Sequence, residues 1–241
     1  SQLRDEGAAK PVGYRVVRIA THHTVRGIEL GSRLLSAIET EASRGGQPLL
    51  PDEKQTETSP PTEASDESET RLEAVDWLGV GYGATPELLR FWGQNGYRTV
   101  HLSTTRNDNS GEYSAVMLRP LTDAGAALRK RHGCRIRDRI AGLLSDPVRD
   151  ADVDVVRALL RTIPAAPDLA MTAYEQRVAA SAAYGPGLAD VAPGVFRDLA
   201  LAAFLLEPAT EATGGPTDRP LSTVDPRERR LLVRKCLQAH R

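Results

Sequence analysis

Between Gly46 and Ala74 the chain holds almost no large apolar side chain. Such a stretch buries too little surface to offset the entropy lost on ordering it. A fold must therefore be built from what lies on either side, with this stretch as an insertion. From Pro51 to Ala74 eight acidic residues face two basic ones. We expect a disordered acidic insertion over 46–74 that acts as a solvated spacer.

The flanking sequence can supply a core, since 40% of the 241 residues are hydrophobic and 26% are charged. Residues 14–22 are rich in β-branched side chains and predict a strand. Leu30, Leu34, Leu35, Ile38 and Ala42 recur at helical spacing, which predicts a helix over 31–44 ended by Gly45-Gly46. Beyond the insertion, Val75 to Gly81 reads as a buried strand. Thr85-Pro86-Glu87 has the cap, first-turn proline and first-turn acid of a helix start, and that helix stops at Asn95-Gly96. Tyr97–Ser103 and Tyr113–Arg119 are further strands, separated by a polar loop from Thr105 to Gly111. This alternation predicts an α/β unit with a mixed sheet.

After Pro120 the pattern turns to helices. Val153, Val156, Leu159, Leu160 and Ile163 share one face, and Val195, Leu199, Ala202, Ala203 and Leu206 share another. Residues 208–220 read as a loop, and Asp225-Pro226 caps a basic last helix. We place a boundary near residue 120, giving an α/β part over 1–120 and a mainly α-helical tail over 121–241.

The net charge of −1 conceals segregation: Arg129, Lys130, Arg131, Arg135, Arg137 and Arg139 lie within eleven residues that hold a single acid, Asp138. A cluster like this suits phosphate contacts, with a solvated helix face as the alternative; aromatic side chains for stacking on bases are scarce nearby. The C-terminal Arg227, Arg229, Arg230, Arg234 and Lys235 add to the case for RNA. No run of apolar residues is long enough to span a membrane, and no signal peptide is visible at the start, which also lacks an initiator methionine. Cys134 and Cys236 fit no metal spacing and read as reduced thiols in a cytoplasmic protein, with one disulfide left open. No metal site is expected.

The junction from Ile19 to Leu34 carries the most chemical information. A strand feeding a glycine-containing turn into a helix start gathers free backbone N–H groups at the positive end of the helix dipole. That arrangement suits a pyrophosphate, and Arg26 and Arg33 would add positive charge. A glycine kept for turn geometry alone is the plainer reading. His22 and His23 end the strand where a general base could stand, but the sequence positions no carboxylate to orient them. Tyr82 and Tyr113 are read as packing residues before proton donors.

The stretch from Arg26 to Gly31 resembles the Q/R-x-x-G-x-G/A turn of GNAT acetyltransferases. The run from Trp77 through Gly79-Val80-Gly81-Tyr82-Gly83 to Trp92 closely resembles the tRNA(Met) cytidine acetyltransferase family. So do Asn95-Gly96-Tyr97, Thr105-Arg106 and Ser110-Gly111-Glu112. The likeness runs from about Arg15 to Pro120; the tail matches more loosely, through its order and its Arg-Glu-Arg-Arg-Leu-Leu-Val-Arg-Lys ending. It implies the second half of a GNAT fold followed by an RNA-binding tail, behind an N-terminal ATPase and the sheet's opening strands, both expected upstream of Ser1. It also implies acetyl-CoA as cofactor, held by the backbone of Ile19, Ala20 and Thr21, by Arg26, Gly27, Ile28, Glu29, Leu30, Gly31 and Ser32 in the turn, and by Glu87 and Gln94. The implied reaction is N4-acetylation of a cytidine in RNA, a tRNA wobble cytidine first, with ATP used by a module outside this chain. Ser110-Gly111-Glu112 would shape the rim facing RNA.

Two positions depart from the pattern: Glu29 replaces a glycine of the turn, and Gln94 replaces a basic residue. A carboxylate about 5 Å from a pyrophosphate costs about 1–3 kcal/mol at effective dielectrics between water and a protein surface. Two other functions stay open at this point. One is a GNAT enzyme that acetylates a protein or small-molecule amine. The other is a truncated RNA- or partner-binding remnant without catalysis. No residue is singled out as catalytic.

Overall fold

A computed structural model describes residues 5–25, 27–44, 75–164, 171–205 and 224–239. The expected acidic insertion over 46–74 and the expected loop over 208–220 lie outside them. Among the described residues four strands and seven α-helices follow in order: β1 (Gly13–Val16), α1 (Leu30–Arg44), β2 (Trp77–Gly83), α2 (Pro86–Gln94), β3 (Arg98–Arg106), β4 (Tyr113–Pro120), α3 (Asp123–Ser145), α4 (Val153–Leu160), α5 (Ala173–Tyr184), α6 (Pro193–Leu205) and α7 (Pro226–Leu232). A π-helical turn, Val233–Leu237, extends α7.

The strands form one mixed sheet in the order β1-β2-β4-β3. β1 runs parallel to β2, from Gly13 opposite Trp77 to Val16 opposite Val80. β2 and β3 both pair antiparallel with β4. This mixed sheet with its flanking helices is the α/β arrangement read from the alternation of elements.

Local sequence explains most element ends. Thr85 Oγ1 accepts the Leu88 N–H at 3.3 Å and Pro86 opens α2. At the other end Asn95 caps the helix and Gly96 takes φ 82, a left-handed turn that glycine adopts without strain. β3 runs on to Arg106, into the loop expected from Thr105, and two further spans differ from the reading of the sequence. β1 stops at Val16 rather than running to His22: β2 continues to Gly83, but the chain from Val17 on no longer pairs with it. Composition favours extension in that stretch, but a strand also needs a neighbour. In α6 the buried positions are Ala200, Phe204 and Leu205, not the face through Val195 and Leu199. That helix is apolar on nearly every side, so period alone does not choose the inner face; Ala200 and Phe204, four residues apart, take it.

A single core runs through both parts of the chain. Leu35 of α1, Leu89 and Trp92 of α2, and Leu78 and Met117 of the sheet bury together with Ile140 and Leu144 of α3, Leu159 of α4, Phe204 of α6 and Leu237. The α4 face read from the sequence is buried as expected. A smaller cluster of Val100, Leu118 and Leu128 seats the start of α3 on the sheet.

Two hinges of hydrogen bonds fix how the elements join. Asp76, just before β2, binds Val12 through both backbone and carboxylate, at 2.7 and 2.9 Å, and its carbonyl and carboxylate take bonds from Leu121 and Thr122. It therefore ties β1, β2 and the start of α3 together. The Val75 N–H donates to the Ala42 carbonyl at 3.3 Å, so the end of α1 and the approach to β2 meet at one point. Both cysteines are free thiols, and burial raises the pKa of Cys236.

Candidate functional site

Where β1 loses its partner, the chain from Val17 to His22 leaves the sheet and a cleft of about 370 Å3 opens between it and α2. Ile19, Ala20 and Thr21 form one wall, Leu88, Phe91 and Gln94 of α2 the other, and the turn with the first residues of α1 closes the end. The turn begins with a 3-10 segment, His23–Val25, in which the Val25 N–H reaches the His22 carbonyl at 3.0 Å.

The helix start then needs unusual backbone. Gly27 has φ 84 and Glu29 has φ 61. The Glu29 carbonyl accepts the Arg33 N–H at 2.9 Å, the first turn of α1. The N–H groups of Leu30, Gly31 and Ser32 have no acceptor one turn back within the helix. They sit with the positive end of the α1 dipole at the cleft, which is electrostatics suited to an anion. Gly31 has a packing role as well: a Cβ there would lie 3.2 Å from the Phe91 ring. α1 and α2 thus approach closely because that position is bare.

The cleft brings together Ile19, Ala20, Thr21, Gly27, Glu29, Leu30, Gly31, Ser32 and Gln94. Ile28 does not line it and is 59% exposed. Glu87 does not line it either; its carboxylate lies 3.4 Å from Arg90 on the outer face of α2. Arg26 lies outside the described residues. Val25, Leu88 and Phe91 line the cleft without having been singled out from the sequence. For Leu88 and Phe91 the signal was present in the spacing with Gln94, three residues apart along one face of α2.

The other candidates are held in structural roles. The Tyr82 hydroxyl donates to Met117 Sδ at 2.7 Å, and burial pushes its pKa far above the ordinary phenol range. The Tyr113 hydroxyl donates to the Pro147 carbonyl at 3.1 Å. His22 and His23 are exposed, with rings 4.2 Å apart, and His22 Nδ1 lies 2.8 Å from Thr24 Oγ1. In the loop after β3, Asn107 Oδ1 accepts the N–H groups of Asn109 and Ser110. The Glu112 carboxylate lies over Gly83, where a Cβ would come within 2.3 Å of its oxygen. Among the described residues no group of three His, Cys, Asp or Glu side chains is placed to hold a metal ion. No helix among them is long and apolar enough to cross a membrane.

The basic cluster occupies α3, but its members differ. Asp5 Oδ2 takes a hydrogen bond from Arg131 at 2.8 Å and another from Arg135 at 3.3 Å, and His132 Nε2 lies 3.0 Å away. Burial works to raise the Asp5 pKa, but the Arg131 bond, the Gly7 N–H and the two guanidinium charges outweigh it and hold the carboxyl below its usual range. Arg137 lies 3.2 Å from Asp138. Arg139 acts on His101, whose pKa falls through burial first and this charge second. Arg129 and Lys130 border a separate cleft with Arg98.

Known proteins extend this geometry. The profile of the GNAT acetyltransferase 2 family matches residues 49–122. The tRNA(Met) cytidine acetyltransferase TmcA of Haloferax volcanii is 49% identical over 100% of this chain, and that of Haloarcula marismortui 46% identical over 100%. The TmcA of Pyrococcus furiosus is 35% identical over 64% of the chain. The chain spans 26% of the length of each of the first two relatives and 15% of the third. A GNAT-type α/β sheet, an anion-suited helix start beside its splayed strand and a likeness spread over the whole chain place this protein in the tRNA(Met) cytidine acetyltransferase family.

Proposed function

We propose that this chain forms the acetyl-CoA-binding and RNA-facing part of an enzyme that transfers an acetyl group to N4 of a cytidine in tRNA. The cleft between the splayed end of β1 and α2 carries this reading. It gathers at one place the backbone of Ile19–Thr21 and the start of α1. Acetyl-CoA supplies an activated thioester, and the exocyclic amine of cytidine is the acceptor. The N–H groups of Leu30, Gly31 and Ser32 would hold the pyrophosphate, and the unpaired backbone of Ile19–Thr21 would bond the amide-bearing arm. The ATP used in such a reaction would bind in a part of the parent outside this chain. The α3 cluster would meet the phosphates of tRNA, and a cytoplasmic setting follows from that substrate.

Glu29 is the element that works against cofactor binding. It is exposed, so water screens its carboxylate, and the cost is about 1 kcal/mol at about 5 Å from a pyrophosphate. Calorimetric titration of the chain with acetyl-CoA tests the proposal. Glu29→Gly should bind about fivefold more tightly than the parent. Ser32→Asp, which suits a helix start but adds a second carboxylate, should bind more weakly. Folded protein that binds acetyl-CoA in neither the parent nor the Glu29→Gly form would refute the cofactor site. That outcome would favour the rival reading of a binding remnant without catalysis, to which Glu29 gives its support.

A further inference from the structure

A second cleft of about 370 Å3 lies where the sheet meets the helical part, lined by Arg98 at the start of β3, Ala126, Ala127, Arg129 and Lys130 on α3, and Pro164 after α4. Its walls are fixed. The Thr99 N–H donates to the Thr162 carbonyl at 3.0 Å, and the two buried hydroxyls lie 2.6 Å apart, which joins β3 to the chain leaving α4. The Pro164 ring seats on α3 at Gly133, where a Cβ would lie 2.7 Å from Pro164 Cγ. The Arg98 guanidinium is held in place by Nη1, which donates to the Gly93 and Tyr97 carbonyls at 2.9 Å each.

Among the described residues no carboxylate lies within ion-pair distance of Arg98, Arg129 or Lys130. Three other α3 arginines have acids beside them: Arg131 and Arg135 share Asp5, and Arg137 has Asp138, while Arg139 faces His101. Burial and the charge of Arg129 both press the Arg98 pKa down, so two like charges are being held together without a counterion. An anion placed between them would relieve that repulsion. The alanines keep the floor low, and no aromatic or amide side chain is present to stack on a base or read its edge. That lining favours a backbone phosphate over a base or a mixed peptide.

We propose that Arg98, Arg129 and Lys130 form a site for a backbone phosphate of bound RNA, at the junction of the sheet with α3. The site rests on the RNA-directed reading above and adds to it a residue from the α/β part, Arg98, which lies outside the cluster visible in the sequence.

The test is fluorescence anisotropy of this chain with a labelled tRNA transcript across a range of salt. Arg129→Gln with Lys130→Gln should weaken binding about tenfold at low salt and lower the slope of log K against log[salt] by about 1. Arg98→Gln, which keeps an N–H donor near the two carbonyls, should act in the same direction. Arg177→Gln on α5 removes an equal charge far from the cleft along the chain and should change neither quantity. Unaltered affinity and slope in the Arg129/Lys130 double variant would overturn the phosphate site. If Arg135→Ala with Arg137→Ala still flattens the slope, the RNA reading survives that result. A wild-type chain that does not bind the transcript overturns both together.

Discussion

Glu29 stands immediately before α1 at φ 61, a backbone region where a side chain costs about 1–2 kcal/mol. Glu29→Gly removes that strain and gives back part of the gain through a looser unfolded chain. The net expectation is a stabilisation of about 1 kcal/mol, read from denaturant melts at neutral pH. A loss of stability would mean that the carboxylate makes a favourable contact. The motif likeness marked this position as a departure, and its positive φ is the backbone that a glycine there adopts without strain. The Asp5 contact with α3 was illegible for a related reason. Its partners lie 126 and 130 residues away, and nothing local marks Asp5 as their counterpart. It makes stability depend on acid. Burial first, then the Arg135 charge, depress the His132 pKa against the pull of Asp5. A depressed pKa means that the unfolded chain takes up a proton first, so the contribution is full above about pH 6.5 and is lost as pH falls below it. His101 is depressed too and adds to the same window; Asp5 adds a second stage below about pH 4. Urea melts at pH 7.5 and 5.5 should show the first stage, smaller in His132→Gln and absent when His101→Gln is added. An undiminished stage in the double variant would rule out these two imidazoles as its source.

Among elements, α2 was the most legible, because its cap, its proline and its terminal Asn-Gly are local signals that tertiary contacts did not override. β1 and α6 were the least legible. One depends on how long the chain stays paired with its neighbour, and the other on which of several apolar faces meets the core. The turn that closes the cleft was legible through a family motif, and Gln94 through the same likeness, with Leu88 and Phe91 following from its helical spacing. α3 owes its position to a bare residue at its start: a Cβ on Gly125 would lie 1.9 Å from the Asp76 carbonyl oxygen. The same Asp76 binds Val12, Leu121 and Thr122. Gly125→Ala therefore pushes α3 off the junction of β1 and β2. Overpacking of this kind should cost about 3 kcal/mol, measured as a lowered denaturant midpoint. A change near zero would show that α3 shifts at no cost.

On the scale of the whole molecule, the buried residues form one body across Pro120, where the change in element type suggested a boundary. Tyr97, Trp92 and Leu89 share a core with Leu144, Leu159 and Phe204. A fragment ending at residue 120 would bare that surface to water. It should give a broad, non-cooperative melt, whereas the full chain should unfold in one transition. A sharp melt for the fragment would show that the sheet is self-sufficient. The bond from Val75 to Ala42 bears on tolerance to change. It holds Ala42 and Val75, described residues on either side of 45–74, together at a neck. A flexible chain closed between two points held this close is cheap to extend, about 0.6 kcal/mol for each doubling of its length. The neck is thus a permissive port, where evolution can add or drop residues and an experimenter can splice in a reporter while the cleft between α1 and α2 and the basic helix keep their shape.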